Sequence, residues 1–548
     1  MSAAALDRLF AGQDCTTAPG CVAALLEGEA VAWQACFGLA RLDSAAPLTP
    51  NTRMRIASIT KPMVALTLAA LEDEGRLALG DPLSRHVPEH RFGADPTLAQ
   101  MLAMKSGIPE TYPLVWLGLG DTARLAEHSQ ALLALLLAQQ QLNFAPGERT
   151  LYANANTILL QLAAERATGE PLARLMRLHV FDPAGMAGAV LDDGLAHRLP
   201  DTAIAYARSG EGFAPADPVS VEAAPGGVIA SLDDMIAWHR WLRGNPHDWR
   251  TRLAAAAAHN DGSYSGYAHG FVCQSLSSAQ VIGHAGGHSG WASDYLYAPD
   301  EDLAVIILAN RADGNIYERA REVLVTALGL PPDPGATPGL LGAAPEPRWE
   351  ATYASVEAIA SLTVKGGPDD IVVEGRRMPR GADGAFRRTL GVEPFVFDIG
   401  DTAAAPTMLT RREGNHAVTF HRVNDPAPLP PEAIAGTYAC ASLPHPVSIR
   451  EDGKGGLRVL TGPVWPGGEG WALVPVLGPL FRCLMPDGSP SEVHLRFEAR
   501  ADGTVTAVSF GFPRLLRLTL GRIEPAAAAE HWRATGEDAP KLLAGDPP

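Results

Sequence analysis

Ser58 and Lys61 stand three residues apart in "RIASITKPMVALTLAALEDEG". On a helix that spacing puts both side chains on one face, a turn apart. Lysine occurs only five times (Lys61, Lys105, Lys365, Lys454, Lys541) among 44 basic residues, so a chain that otherwise uses arginine places a lysine here. An ammonium group is compact and exchanges protons when its surroundings shift it, whereas a guanidinium stays charged. A serine beside such a lysine is an activated nucleophile, helped further if it lies at the positive end of a helix. Proline at 62 fits the first turn, whose amides have no intrahelical partners. The plain alternative is an exposed Ser/Lys pair on a helix surface.

Two further clusters could serve the same chemistry. Tyr152 and Asn154 bracket an alanine in "ERTLYANANTILLQL", where the structural alternative is a core tyrosine and a helix-capping asparagine. His284-Ala285-Gly286-Gly287 lies in "VIGHAGGHSGWASDYLYAP". Glycines on a strand permit close backbone approach, which suits an oxyanion site built from amide N–H groups. His284 and His288 are four apart, but the glycines between them oppose the helix that a zinc-binding pair requires. "GHSGW" has Trp291 where a nucleophile elbow needs its last glycine, so Ser289 is a poor nucleophile, and His288 reads as a loop residue.

Those three clusters need elements to position them. The run after Ser58 reads as a helix stopped at Gly75, "TILLQLAAERATGE" as a second helix, and "LAVIILAN" as a buried strand. "ALLALLLA" at 131–138 is too short to span a bilayer and reads as a buried helix. Proline-rich stretches at 329–347 and 424–433 divide the 548 residues into three units, expected at 1–330, 346–424 and 432–525. The last two are rich in short strands between Gly/Asp turns, as in small antiparallel barrels. Both open alike, "RWEATYASV" and "AIAGTYACA", so they read as copies of one another.

Composition narrows the class. Hydrophobic content of 47% with 19% charged residues describes a folded soluble chain, and a net charge of −17 argues against a nucleic-acid surface. The start, "MSAAALDRLFAGQDC", has neither a basic n-region nor a long apolar run, so the expected compartment is the cytoplasm. Six scattered cysteines (Cys15, Cys21, Cys36, Cys273, Cys440, Cys483) lack metal-type spacing and are expected to be reduced.

The order Ser-x-x-Lys, Tyr-x-Asn, His-x-Gly resembles the serine β-lactamase/penicillin-recognising superfamily, in its class C, carboxypeptidase and carboxylesterase branch. "QMLAMKSGIPE" (100–110) is similar to a segment that this branch carries between its first two motifs. The whole chain resembles the members of peptidase family S12 that join such a unit to two β-barrels and remove N-terminal D-amino acids. "FDPAGMAGAVL", "SLDDMIAWHRWL" and "YANAN" are similar as well.

The resemblance implies an α+β fold: a β-lactamase/transpeptidase-like domain, an antiparallel sheet flanked by helices, followed by two small antiparallel β-barrels. It implies an acyl-enzyme on Ser58, with Lys61 and Tyr152 moving its proton and Asn154 bonding Lys61 and the substrate amide. The N–H groups of Ser58 and Gly287, beside Gly286, form the oxyanion hole. His284 takes the place of a family lysine; being largely neutral at pH 7, it grips a carboxylate poorly, so the expected substrate is a small peptide or amino-acid amide. A loop of the third unit is expected to reach the cleft, with Asp487 in "LMPDGSPSE" anchoring the substrate amine. No cofactor, metal, nucleic acid or membrane partner is expected, and a homodimer is implied by the relatives. The competing readings are an esterase of the same type and a binding protein that keeps the cleft.

Overall fold

The computed structural model describes residues 3–11, 16–119, 129–192, 199, 201–216, 223–244, 249–255, 257–276, 279–330, 347–367, 370–374, 376–381, 384–388, 395–399, 404–413, 415–461, 470–485 and 488–524. Six antiparallel strands form the first sheet: β1 (Cys21–Glu27), β2 (Ala30–Phe37), β3 (Val272–Leu276), β4 (Ala279–His288), β5 (Trp291–Ala298) and β6 (Leu303–Ala309). Their spatial order is β3-β4-β5-β6-β1-β2, so the two chain ends of this unit meet at the β1–β6 pair.

Both faces of the sheet are covered, which is why β1 and β6 are apolar almost throughout instead of alternating. One face, carrying Ala23, Leu25, Leu296, Val305 and Ile307, packs on α1 (Ala3–Leu9) and a C-terminal helix, Ile316–Leu328. The other, carrying Val22, Ala24, Tyr295, Ile306 and Leu308, packs on the main core. At the centre of that core lies α2 (Thr60–Asp73), buried at every position from Thr60 to Ala69 and again at Leu71. A helix apolar on all sides is one enclosed by protein. The left-handed Gly75 (φ +68°) lies just beyond its end, and Gly169 (φ +74°) caps the helix Asn154–Thr168, at the glycine stops expected from the sequence. The apolar run near 131–138 lies in a helix, Ser129–Leu137, packed beside Thr111–Leu119.

The two C-terminal sheets are eight-stranded antiparallel meanders whose first and last strands pair. The second closes fully into a barrel, from Gly436–Ala439 round to Leu515–Ile523. The first, from Trp349–Ser355 to His416–Arg422, differs from the expected barrel. Among the described residues no ladder joins its fourth strand (Arg376–Pro379) to its fifth (Phe386–Arg388), and the two meet at the bridge between Arg380 and Phe386. The repeated "TY" falls at one position in both: Tyr353 opposes Arg422 and Tyr438 opposes Arg522, with both rings fully buried.

The barrel core is continuous with the core of the N-terminal unit, through Trp116 against Trp471 (ring centroids 4.7 Å) and Phe512 (5.5 Å). The open sheet has a core of its own around Tyr353, Phe386, Phe397 and Phe420. Among the described residues, no helix is long and apolar enough to cross a membrane.

Candidate active site

Ser58 sits in a tight turn, Ala57–Ile59, immediately before α2. Ala57, buried, takes a left-handed φ of +47°, a conformation that costs an alanine energy and persists only when its surroundings enforce it. Here they do. The Ile56 N–H donates to the Val228 carbonyl (3.0 Å), and the Thr60 hydroxyl donates to the Ala57 carbonyl (2.7 Å) while accepting from the Val228 N–H (3.1 Å). From the other side the Ser293 hydroxyl donates to the Ile56 carbonyl (2.8 Å). Ser58 itself stays partly exposed.

Lys61 Nζ donates to Ser58 Oγ (3.1 Å), Asn154 Oδ1 (2.9 Å) and the Pro225 carbonyl (2.7 Å). The last two groups can only accept, so they hold two of its N–H bonds in either protonation state. The remaining tetrahedral position, facing Ser58, carries a hydrogen in the ammonium form and a lone pair in the amine. Lys61 can therefore take or return a proton at Ser58 without disturbing its other contacts. The Tyr152 hydroxyl donates to the same Oγ at 2.8 Å, and Lys61 Nζ lies 4.8 Å from the centre of its ring.

The orientation of Asn154 is fixed by a residue that sequence reasoning passed over. Glu110, 2% exposed, accepts from the Asn154 backbone N–H (3.1 Å to each oxygen) and from its Nδ2 (3.3 Å), so the amide oxygen must face Lys61. It also accepts from the backbone N–H (2.7 Å) and hydroxyl (2.9 Å) of Thr111. The only signal for it was its place at the end of "QMLAMKSGIPE". That segment ties to the helix a second way, through Ser106 Oγ donating to Asn156 Oδ1 at 2.5 Å.

His284 lies close by but does not reach Ser58. It is fully buried, and both nitrogens are engaged: Nδ1 with the Ala285 carbonyl (2.6 Å) and Nε2 with the Tyr267 hydroxyl (3.0 Å). Because a carbonyl only accepts, Nδ1 carries the hydrogen and Nε2 receives the tyrosine O–H. Burial, reinforced by the Lys61 charge, pushes the imidazole down to about 3, so it is neutral. Burial in turn raises Tyr267 well above the ordinary phenol range. The ring of Tyr267 stands edge-on to Tyr152, with centroids 5.9 Å apart. His288 is the last residue of β4, not a loop residue.

Gly286 is there for close approach. A side chain would lie 2.3 Å from the Ile56 carbonyl and 2.2 Å from Ser293 Oγ, so this strand can press against the Ser58 turn only as glycine. The Gly286 carbonyl accepts from the Tyr317 hydroxyl (3.0 Å). The peptide being trans, the Gly287 N–H points the opposite way.

The third unit reaches the site. Asp487 lies outside the described residues, and the hairpin carrying it is tied to the middle sheet by Arg482–Glu374 (3.0 Å) and His494–Ser361 (2.7 Å). The next hairpin, between Val505–Phe512 and Leu515–Ile523, lays its turn against the cluster. The Arg514 guanidinium carbon is 4.7 Å from the centre of the Tyr152 ring, and Nη1 is 3.5 Å from Glu110. Among the described residues no group of three or more His, Cys, Asp or Glu is placed to hold a metal.

Known proteins offer three comparisons. The family described as Beta-lactamase matches residues 6–329. A protein named D-aminopeptidase from Brucella canis is 28% identical over 525 residues, which cover 90% of this chain and 93% of that one. Another so named, from Cereibacter sphaeroides, is 29% identical over 396 residues, covering 70% and 74%. Among solved structures, the octameric penicillin-binding protein homologue from Pyrococcus abyssi superposes with a TM-score of 0.54 at 20% identity, over 77% of this chain and 100% of that one. That last likeness concerns the fold.

Proposed function

The chain belongs to the beta-lactamase family, and from that premise we propose that it is a serine hydrolase releasing N-terminal D-amino acids from peptides, amides or esters. The observation that carries the reading is the convergence of Lys61 and Tyr152 on a single oxygen, Ser58 Oγ. The relatives named D-aminopeptidase, matched over nearly the full chain, supply the substrate class.

In this mechanism Ser58 Oγ attacks the substrate carbonyl carbon as its proton passes to Lys61 or Tyr152. Negative charge gathers on the carbonyl oxygen and is met by the N–H groups of Ser58, at the head of α2, and of Gly287. Gly286 lets the two walls approach. The C–N bond then breaks as the leaving nitrogen takes the proton from the Tyr152 side, and an ester on Ser58 remains. Water attacks that ester along the same proton route and frees the D-amino acid. Asn154, held by Glu110, keeps Lys61 aimed. His284 acts as a neutral strut for Tyr267 and for the strand bearing Gly286, not as a substrate ligand. We also take the chain to be a soluble cytoplasmic protein, homodimeric as its sequence resemblance implies; light scattering tests the assembly.

The test is the initial rate of p-nitroaniline release from D-alanine p-nitroanilide, its L-enantiomer and its N-acetyl form. Rapid turnover of the free-amine D compound alone is expected. Equal rates on the acetylated or L compound would contradict the aminopeptidase reading and leave an esterase or another amidase.

A further inference from the structure

Gly286 and Gly287 lack side chains for two different reasons. A side chain on Gly286 would strike the Ser58 turn, whereas one on Gly287 would lie 2.8 Å from the Tyr317 hydroxyl. Tyr317 belongs to the helix Ile316–Leu328 and packs on the face of the sheet opposite the one that covers α2. From there its hydroxyl donates to the Gly286 carbonyl at 3.0 Å. Ser293 Oγ lies 3.5 Å from the same oxygen, but it gives its single hydrogen to the Ile56 carbonyl at 2.8 Å.

The Gly286 carbonyl and the Gly287 N–H are the two ends of one peptide. Among the described residues the β3–β4 ladder ends at Gly283, so past that point the edge of β4 away from β5 is open to a substrate, and Gly287 is exposed. A hydrogen bond donated to an amide oxygen draws electron density from the nitrogen and strengthens its N–H as a donor, the cooperative effect of linked hydrogen bonds. It also fixes the plane of the peptide, so the N–H needs no reorientation when charge develops in front of it.

We propose that Tyr317 is a positioning residue of the oxyanion hole: from the far face of the sheet it orients and polarises the Gly286–Gly287 peptide, whose N–H meets the substrate carbonyl oxygen. It touches no substrate and acts through that peptide alone. Position 287 is glycine because the hydroxyl stands where its side chain would be. This inference rests on the acyl-enzyme reading and adds to it the side chain that tunes the transition state.

The experiment measures kcat and KM for D-alanine p-nitroanilide, and Ki for the boronic acid analogue of D-alanine, in the wild-type enzyme, Tyr317→Phe, Gly287→Ala and the double variant. The boronate forms a tetrahedral adduct on a nucleophilic serine and presents an oxygen to the hole. Tyr317→Phe keeps the ring and removes the donor. It is expected to lower kcat about three- to tenfold, a fraction of the roughly 100- to 1,000-fold that a whole oxyanion donor supplies. KM should stay within about twofold, and the boronate Ki should rise by the factor that kcat loses. Gly287→Ala, whose methyl group displaces the hydroxyl, should cause a similar loss, and the double variant should lose no more than the worse single one. If Tyr317→Phe does not fold, Gly287→Ala carries the test by the same matched changes in kcat and Ki. A loss confined to KM, an unmoved boronate Ki, or losses that multiply in the double variant would each overturn the role of Tyr317 and leave the hydrolase reading intact. A folded wild-type enzyme that neither cleaves the anilide nor binds the boronate would overturn that reading, and this inference with it.

Discussion

The open sheet and the closed barrel share a meander of eight strands, a buried tyrosine at the same register position, and one further habit. Each sends the turn between its seventh and eighth strands to the N-terminal unit. The barrel's turn places Arg514 over Tyr152 and beside Glu110. The open sheet's turn places Asn415 at the surface, where its Nδ2 meets the Glu148 carbonyl and Asp261 Oδ2, each at 3.2 Å. The difference lies in what surrounds each contact. The barrel shares an apolar core with the catalytic helices, through Trp116, Trp471 and Phe512, so its hairpin is held well enough to aim a side chain. The open sheet keeps a separate core, and its turn makes exposed polar contacts that water can replace. One copy builds a wall of the site while the other braces the barrel, for example where Gly511 approaches the Ile359 carbonyl too closely to admit a side chain.

A baseline for the chemistry comes first, because neither hairpin matters without it. Lys61→Arg keeps the charge but cannot release a proton, and kcat should fall about 1,000-fold or more with the fold intact by circular dichroism. Activity within tenfold of wild type would remove the proton-transfer role on which the comparison stands.

Next in size is the apolar seam that only the barrel possesses. Trp116→Ala should cost about 3–5 kcal/mol in urea unfolding and lower kcat/KM as the Arg514 hairpin loosens. A smaller change, Glu110→Gln, removes the charge between Asn154 and Arg514. It is expected to lower kcat about tenfold with KM moving less, the mark of a positioning group. Equal effects on both constants would assign Glu110 to substrate binding.

The contact between the two sheets should respond to acid. His494 Nε2 accepts the Ser361 N–H at 3.1 Å, and burial holds the imidazole at about 3. The folded protein then binds fewer protons than the unfolded chain between about pH 3 and 6.5. Stability rises with pH across that window and is lost as pH falls through it, by at most about 1.4 kcal/mol per unit for this histidine. His494→Gln should flatten the slope of Tm against pH below 6.5. The smallest effect belongs to the other hairpin: Asn415→Ala should leave kcat/KM within about twofold and stability within about 1 kcal/mol. A loss comparable to that expected of Trp116→Ala would erase the distinction between the two copies.

Local spacing made much of this visible in the sequence. Ser58 and Lys61 share a helix turn, Tyr152 and Asn154 flank one alanine, and the glycines after His284 mark a strand pressed against its neighbour. The repeated "TY" marked two copies of one meander. What escaped was whatever two distant segments make together. Glu110 and Arg514 are 404 residues apart, and no periodicity within either segment predicts their contact. Tyr267 gave no signal because its role exists only through His284. The expected amine anchor, Asp487, lies outside the described residues, and the docking of the hairpin that bears Arg514 rests on apolar packing at its base, which its own segment does not announce. The gap in the middle sheet was hidden for a similar reason: short strands read alike whether or not their edges pair.

The most direct test of the account is to quench a reaction with D-alanine methyl ester within milliseconds and map the adduct by peptide mass spectrometry. A D-alanyl group on the peptide containing Ser58, absent in Ser58→Ala, is the expected result. Turnover with no adduct on that peptide, or an adduct on another residue, would contradict the claim that Ser58, served by Lys61 and Tyr152, carries the reaction.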